Sequence, residues 1–586
     1  MCGIVGIVGK SEVAQRLYDG LKRLEYRGYD SAGICTIHDG QLDRRRAEGK
    51  LDNLKAELKT HPLQGNVGIA HTRWATHGAP TVGNAHPHIA GPVALVHNGI
   101  IENFKPLRDE LIADGRTFLS ETDSEVVAHL VAREIERGAS PEDAVAAVLP
   151  RLHGAFAIAF LFRDHPELVI GARMGAPLTV GYGDGENYLG SDALALAPWT
   201  QRIAYLEEGD WAAVRHDSIQ IYDRDNAPVE RAIVESGAAS AAIEKGNYAH
   251  FMQKEIFEQP VVVADTLHSY IRPFEGTVAL PVAEAELEKV DRLTIVACGT
   301  SYYAGLVAKY WVEQFARVAV DIDVASEFRY RDPVLAPGGL ALFISQSGET
   351  ADTLAALRHA RDEGQRIAVV VNVPTSSMAR EADLLLPTHA GPEVGVASTK
   401  AFACQLAVLA AFAANLARAK GRLTAAEEKD IVEHLQEAPA AINAALGHDE
   451  DIAAMAHLIA PARDVLYLGR GADFPMAMEG ALKLKEISYI HAEGLPAAEM
   501  KHGPIALIDE NMPVVFVCTR DSAYDKVMSN MSEVRARKGR IIAIATEGDH
   551  EVAERADHVL YVPQTDPCLQ PILHVVPLQL LAYHIA

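Results

Sequence analysis

LTIVACGTSYYAGLVAKYWVE at 293–313 and VLYLGRGADFPMAMEGALKLKE at 465–486 decide the fold of the second half of the chain. In both segments an apolar strand runs into a glycine turn and then into a helix. The pattern continues after each segment as apolar strands that alternate with helices. This alternation predicts a parallel sheet with βαβ crossovers.

The resemblance between the two segments extends along the chain as an internal repeat. LALFISQSGETADTL at 340–354 parallels PVVFVCTRDSAYDKV at 513–527, and 365–388 parallels 539–563. The repeat predicts two related α/β domains, 249–420 and 421–586. The turn SQSGET of the first copy corresponds to CTRDS in the second, where an acidic residue and bulkier side chains replace the serines. We therefore expect only the first copy to hold a phosphate.

The first 235 residues have a different pattern. Short β-like runs alternate with glycine turns, and helical periodicity is clear near 11–24 and 123–137. We predict an α+β domain over 2–235, with stacked, mainly antiparallel sheets and helices on their faces. The small and polar stretch that follows predicts a linker over 236–248.

Composition excludes several classes of function. The net charge of −25 argues against a general binder of nucleic acids or anionic membranes. The six cysteines have no CxxC spacing, so neither a zinc site nor a disulfide framework is indicated. The apolar stretch 401–419 contains Gln405 and Asn415, and we interpret it as a buried helix. With no secretory pattern at the N-terminus, we expect a cytoplasmic protein.

Cys2, in the opening MCGIVGIVGK, is a candidate nucleophile. Removal of Met1 would leave a thiol and a free α-amino group on one residue. An α-amine has a pKa of ~7.7–8, close to that of a good general base at neutral pH. A nucleophile activated by its own amine is a known arrangement. The alternative is a cysteine that merely begins a buried strand.

Three polar islands, HTRWATHG, HNGIIEN and SETDSE, suit a free α-amino acid. Arg73 suits a carboxylate and Asp123 an ammonium group. Asn98 and Gly99, in a turn after an apolar run, are candidate donors to an oxyanion. The nearby histidines match no common metal-ligand spacing.

Two further groups lie in the repeats. The ISQSGET turn precedes a helix near Asp352, where free N–H groups and hydroxyls favour an anion; the alternative is a simple helix cap. Lys483 and Glu486 share one helix face, either as a catalytic pair or as a solvated ion pair. His502 follows in a loop bounded by glycine and proline. No complete G-x-G-x-x-G is present, so a dinucleotide site is not expected.

Taken together and in order, these motifs resemble the glutamine:fructose-6-phosphate aminotransferase (isomerizing), or glucosamine-6-phosphate synthase, family over essentially the whole chain. CGIVG, RLEYRGYDSAG, HTRWATHG, NAHPH, VHNGIIEN and SETDSE resemble its class II glutaminase domain, an N-terminal-nucleophile fold. CGTSYYAG, SEFRYR, SQSGETADTL, EVGVASTKAF, EGALKLKEISYIHAE and KHGPIALI resemble its two sugar-isomerase domains.

The resemblance implies roles for the glutaminase residues. Cys2 would attack the glutamine amide, and Asn98 and Gly99 would stabilise the oxyanion. The glutamine pocket would consist of Arg73, Thr76, His77 and Asp123. Trp74 would gate a channel that carries ammonia to the sugar.

It also implies roles in the sugar-isomerase domains. Glu486 would move a proton between C1 and C2, with Lys483 nearby, and His502 of a neighbouring subunit would open the sugar ring, which implies a homodimer. Fructose 6-phosphate would be bound by Thr300, Ser301, Ser345, Gln346, Ser347, Thr350 and Ser398. No metal or organic cofactor is implied. The family continues past PLQLLAYHIA into a tail with a lysine that forms a Schiff base, and the sequence printed here ends at Ala586.

Two alternatives remain open from the residues. The first is a glutaminase whose sugar-phosphate domains only sense a ligand, against which Lys483, Glu486 and His502 argue. The second is a related amidotransferase that uses another ketose phosphate. A self-cleaving hydrolase is disfavoured because only Met1 precedes the nucleophile.

Overall fold

A computed structural model describes residues 2–25, 30–74, 78–235, 245–566 and 569–586. The chain forms two compact units, 1–244 and 245–586.

The first unit contains two antiparallel sheets. Strand order is β15-β11-β9-β10-β1-β4-β2-β3 in one sheet and β14-β13-β12-β8-β7-β6-β5 in the other. The strands are β1 (Gly3–Val8), β2 (Ser31–His38), β3 (Gln41–Glu48), β4 (Val67–Arg73), β5 (His88–Ala90), β6 (Val93–Ile101), β7 (Gly154–Phe162), β8 (Val169–Met174), β9 (Thr179–Tyr182), β10 (Asn187–Gly190), β11 (Arg202–Tyr205), β12 (Trp211–Val214), β13 (Ile219–Tyr222), β14 (Pro228–Val229) and β15 (Val234–Glu235).

The two sheets stack face to face, and helices cover their outer faces. Alternation along β6 shows why: Ala94 and Val96 pack between the sheets, whereas Val93 and Leu95 face the helices. The helices are α1 (Ala14–Lys22), α2 (Leu51–Thr60), α3 (Phe104–Ala113), α4 (Ser124–Glu136), α5 (Pro141–Val148) and α6 (Ala193–Leu196), with a 3₁₀ turn at Leu149–Arg151. The predicted α+β architecture of stacked antiparallel sheets is confirmed.

The second unit contains two five-stranded parallel sheets with the same topology. Their orders are β19-β18-β20-β21-β22 and β24-β23-β25-β26-β27. The strands are β18 (Arg292–Ala297), β19 (Ala319–Val324), β20 (Leu340–Ser345), β21 (Arg366–Val371), β22 (Leu384–Pro387), β23 (Asp464–Gly469), β24 (His491–Pro496), β25 (Pro513–Val517), β26 (Arg540–Thr546) and β27 (His558–Val562), after a short hairpin of β16 (Ile271–Arg272) and β17 (Thr277–Val278). The predicted pair of parallel-sheet repeats is confirmed.

Helices connect these strands and join the repeats. They are α7 (Phe251–His268), α8 (Glu284–Leu287), α9 (Gly299–Trp311), α10 (Ala325–Arg331), α11 (Ala351–Asp362), α12 (Ser377–Arg380), α13 (Lys400–Ala419), α14 (Ala425–Leu446), α15 (Asp449–Ile459), α16 (Asp473–Ser488), α17 (Tyr524–Ala536), α18 (His550–Ala553) and α19 (Gln570–Ile585). A π-helical turn, Val312–Ala316, extends α9, and 3₁₀ helices span Ala497–His502 and Pro504–Leu507.

One apolar core runs through both repeats of the second unit. It includes Ile295 of the first sheet, Val515 of the second, and residues of α7, α13, α14, α16 and α19. The helix α14, which follows the predicted boundary at 420, packs against α7, which precedes it. The boundaries at 235, 248 and 420 stay predictions.

The helix α13 lies in the middle of this core. Within the described residues it alone is long and apolar enough to cross a membrane, and its apolar window is 100% buried inside the protein. Its placement agrees with the interpretation of 401–419 as a core helix.

Candidate functional site

Strand register brings Cys2 to Trp74. β1 and β4 pair antiparallel with Gly3 opposite Thr72, so the residue before β1 meets the end of β4. The backbone N–H of Trp74 donates a hydrogen bond to the Cys2 Sγ over 3.2 Å. The thiol is thereby held at a fixed point next to the side chain of Arg73, the last residue of β4.

Burial raises the pKa of the Cys2 thiol, and the hydrogen bond from Trp74 opposes that shift. A thiol with a raised pKa is protonated at neutral pH and needs a base to become a nucleophile. A nucleophilic role for Cys2 would therefore require a general base close to the sulfur.

A small cavity opens next to the thiol. It contains both charged residues that were predicted to bind an amino acid, and Arg73 and Asp123 are each only 4% exposed. The lining residues are Cys2, Arg73, Trp74, His86, His97, Gly99, Thr122, Asp123 and Ser124. The structure thus brings a thiol, a cation and an anion to one cavity.

The backbone holds both charged side chains in place. Asp123, just before α4, accepts a hydrogen bond from the N–H of Ile101 over 2.8 Å. Arg73 donates to the carbonyl groups of Gly78 and Ala79, over 3.1 and 3.3 Å. Their predicted neighbours Thr76 and His77 lie outside the described residues.

Asn98 and Gly99 lie near the end of β6, and Gly99 lines the same cavity. The Asn98 side-chain amide donates to the carbonyl oxygen of Cys2 over 3.1 Å. Gly99 has a φ of +113°, and a Cβ there would lie 2.0 Å from the carbonyl oxygen of Ala155. Only glycine tolerates this combination. The position therefore serves through its backbone.

A second polar site lies between the repeats of the second unit. The Lys483 ammonium of α16 donates to Thr300 Oγ1 over 3.1 Å and pairs with Glu486 over 2.7 Å. Thr300 lies in the first turn of α9, directly after β18. Lys483 is 1% exposed, while the Glu486 side chain is 35% exposed. The structure therefore joins Thr300, Lys483 and Glu486.

Glu479 was missed by the sequence analysis. It precedes Lys483 by one helical turn, is fully buried, and lies 3.5 Å from the Lys483 ammonium and 3.3 Å from the Thr300 hydroxyl. Burial raises the pKa of Glu479 to about 7, and Lys483 opposes that shift. The i, i+4 spacing in EGALK was the available signal.

The SQSGET turn joins β20 to α11 and is folded around its own hydroxyls. Ser345 Oγ accepts from the N–H of Gly348 over 3.0 Å and lies 3.2 Å from the Thr350 hydroxyl. Ser347 Oγ accepts from the N–H of Glu349 over 3.2 Å. The helix start brings these hydroxyls and backbone donors together, which suits an anion.

The remaining predicted sugar-site residues are placed by separate elements. Ser398, just before α13, donates to Glu393 over 2.8 Å, and Ser301 accepts from Gln405 of α13 over 3.1 Å. Gln346 accepts at its backbone carbonyl from the N–H of Asn372. His502 is exposed at the end of a 3₁₀ helix, and no contact within the described ranges joins it to Lys483 or Glu486.

Comparisons with known proteins agree with this organisation. A glutamine amidotransferase domain model matches residues 71–198, and a SIS domain model matches residues 286–415 and 458–586. The chain is 66% identical over 587 residues to the glutamine–fructose-6-phosphate aminotransferase [isomerizing] of Zymomonas mobilis, with 100% of this chain and 97% of the relative covered. It is 57% identical over 590 residues to the protein of the same name from Brucella abortus, with the same coverage.

A solved structure is also similar to the second unit. The C-terminal domain of glucosamine-fructose-6-phosphate aminotransferase from Francisella tularensis matches with a TM-score of 0.56 and 43% identity. The match covers 58% of this chain and 97% of that one.

Proposed function

The chain belongs to the family of glutamine–fructose-6-phosphate aminotransferases (isomerizing), and we propose which residues perform each step of its reaction. The reaction converts L-glutamine and D-fructose 6-phosphate to L-glutamate and D-glucosamine 6-phosphate, the first step of amino-sugar synthesis. The observation that carries the assignment is the cavity in which Cys2 lies beside Arg73 and Asp123.

The first half-reaction releases ammonia. Arg73 and Asp123 bind the carboxylate and ammonium groups of glutamine, with Thr76 and His77 beside them. The Cys2 sulfur attacks the side-chain amide carbon, and Asn98 and the Gly99 N–H stabilise the negative oxygen of the tetrahedral intermediate. Ammonia leaves, and water then hydrolyses the thioester to glutamate.

The raised pKa of the Cys2 thiol supports a dedicated base for this attack. With Met1 removed, the α-amine of Cys2 takes the thiol proton and delivers it to the leaving ammonia. A retained Met1 would block this base. A sample whose intact mass includes Met1 should therefore have no glutaminase activity.

The second half-reaction uses the site around Lys483. The SQSGET hydroxyls, with Thr300, Ser301, Gln346 and Ser398, bind fructose 6-phosphate. Ammonia condenses with the C2 carbonyl and water leaves. Glu486 takes a proton from C1 and returns it to C2, while Lys483 orients the Glu486 carboxylate through the 2.7 Å ion pair.

Further features belong to the same proposal. Trp74, 42% exposed at the glutamine cavity, gates the passage of ammonia. His502 opens the sugar ring of a neighbouring subunit, which its exposed position supports, and the enzyme is a homodimer. The protein is cytoplasmic, as its substrates and composition suggest. The domains are the glutaminase over 2–235 and the sugar-isomerase copies over 249–420 and 421–586.

The test follows two products separately. The enzyme is incubated with glutamine, with and without fructose 6-phosphate, and glutamate and glucosamine 6-phosphate are measured. We expect equal amounts of both when the sugar is present. Cys2→Ala should abolish both products, whereas Glu486→Gln should abolish only the amino sugar. Undiminished glutamate release by Cys2→Ala would contradict the assignment of the nucleophile.

A further inference from the structure

We propose that His71 is a positioning residue for glutamine hydrolysis, which orients the side-chain amide of Asn98 so that an N–H of that amide faces the oxyanion. His71 lies in β4, is fully buried, and does not line the glutamine cavity itself. The inference rests on the proposed roles of Cys2 and Asn98 and adds to them a residue that never touches the substrate.

The contacts of the His71 ring determine its tautomer. Nε2 lies 2.9 Å from the backbone carbonyl oxygen of His97 and 3.0 Å from Oδ1 of Asn98. A carbonyl oxygen only accepts hydrogen bonds. Nε2 therefore carries the hydrogen and donates it to both oxygens.

The other ring nitrogen of His71 contributes no hydrogen bond. Within the part of the chain that the structure describes, Nδ1 is buried and has no hydrogen-bond partner. Burial, together with the nearby His97 and Arg73, lowers the pKa of His71 to about 3. The ring is thus a neutral donor at physiological pH. It is neither a base nor a charge.

This donor fixes which way the Asn98 amide points. Asn98 Oδ1 accepts from His71, and Asn98 Nδ2 donates to the carbonyl oxygen of Cys2 over 3.1 Å. The two bonds lock the amide plane from opposite ends. One Nδ2 hydrogen is used by Cys2, and the second is left for the negative oxygen that forms on the glutamine amide. A flipped amide would present Oδ1 to that oxygen and repel it.

His71 is itself held in place. Its ring packs on His86 with centroids 4.1 Å apart, and His86 Nε2 lies 3.1 Å from the Ser124 hydroxyl. Ser124 also lies 2.8 Å from His97 Nδ1. His86 and His97, which also line the cavity, therefore support the His71 ring together with Ser124.

Two variants test the proposal in the full enzyme. His71→Leu removes the donor, and His71→Gln keeps an N–H on a flexible side chain. A mispositioned oxyanion donor raises the barrier without weakening substrate binding, so we expect His71→Leu to lower kcat for glutamine hydrolysis about 10- to 100-fold. KM for glutamine and the rate of Cys2 alkylation by iodoacetamide should change less than about twofold, because neither needs the oxyanion donor. His71→Gln should recover part of kcat.

A double-mutant cycle separates this role from a general packing defect. In an Asn98→Ala background the orienting function has no target, so adding His71→Leu should lower kcat little further. The proposal would be overturned if the losses of kcat from His71→Leu and Asn98→Ala were additive. It would also be overturned if His71→Leu lowered kcat and the rate of Cys2 alkylation in parallel. If His71→Leu does not fold, His71→Gln still tests the coupling, because its partial loss of kcat should vanish in the Asn98→Ala background. Loss of activity in Cys2→Ala and Asn98→Ala is measured independently, so a failed proposed function is distinguishable from a failed role of His71.

Discussion

At the scale of single residues, the SQSGET turn depends on a position that has neither the backbone conformation nor the space for a side chain. Gly348 in the SQSGET turn has a φ of +64°, and a Cβ there would lie 2.0 Å from the Ser376 hydroxyl. The turn keeps its hydroxyls together only while this position has no side chain.

Gly348→Ala is expected to raise KM for fructose 6-phosphate at least about tenfold, because the turn must move to relieve the clash. Glutamine hydrolysis without sugar should be unchanged, since Gly348 belongs to the other unit. Gly364→Ala is the matched control: it has a φ of +78° but no atom within 4 Å of an added Cβ. Equal effects of the two variants on KM would show that strain, rather than the turn, is responsible.

At this scale, the sequence predicted those residues whose side-chain type alone indicates a reactive or charged role. Cys2, Arg73 and Asp123 were named from motifs, and the structure brings them to one cavity. Glu479 and His71 escaped, because their importance lies in what they contact. Glu479 had a local signal in its i, i+4 spacing to Lys483, but its contact with Thr300 comes from long-range packing. The contacts of His71 with His97 and Asn98 are long-range as well. The roles of all these residues stay predictions.

At the scale of elements, the segment before α13 is held by two buried carboxylates. Glu255 of α7 accepts hydrogen bonds from the N–H groups of Val394 and Gly395. Glu393 accepts from the N–H of Thr399 over 2.8 Å and from the Ser398 hydroxyl. The position of the Ser398 hydroxyl therefore depends on Glu393.

The pair predicts a pH-dependent stability. Burial and the facing Glu393 raise the pKa of Glu255 to about 8, and Lys400 opposes the shift, whereas an unfolded Glu titrates near ~4.3. The folded state then binds more protons than the unfolded state between these values, so stability falls as pH rises through this window. We expect a melting temperature that decreases from about pH 5 to 8, and Glu255→Gln should flatten the decrease.

Glu258→Gln is the control on the same helix. Glu258 forms ion pairs with Lys254 and Lys400, over 3.4 and 2.7 Å. Glu258→Gln should be less stable at all pH values, but its melting temperature should decrease with pH as steeply as that of the parent enzyme. If the melting temperature of Glu255→Gln decreases with pH as steeply as that of the parent enzyme, Glu255 is not the group responsible.

The element scale is also where sequence was most informative. Apolar runs that alternate with helices placed the strands of both repeats, and the helix predicted to begin near Asp352 begins at Ala351. The contact of α14 with α7 was not foreseen, because amphipathic periodicity tells which face is buried and not against which partner.

At the scale of the whole molecule, the two repeats of the second unit have one topology and different turns. In the second copy the Thr519 hydroxyl contacts Asp473 and Gln570, and Arg520 lies 3.3 Å from the buried Asp549. These contacts occupy the polar groups of the turn, and Asp473, Asp521 and Asp549 disfavour an anion there.

The difference predicts a single phosphate site per chain. Ser347→Ala should weaken fructose 6-phosphate binding at least about tenfold in isothermal titration. Arg520→Ala removes the cation of the corresponding turn and should change the affinity less than about twofold. A larger loss in Arg520→Ala would place the phosphate in the second copy.

The common apolar core of the two repeats has an evolutionary consequence. Each copy completes the hydrophobic face of the other, so after duplication neither copy is dispensable, whatever happens to its ligand chemistry. The second copy can therefore lose its ligand-binding turn, but it must keep the apolar side chains of the shared core. Substitutions should therefore accumulate at its strand ends and be purged from α16 and α19, where one copy has become scaffold for the other.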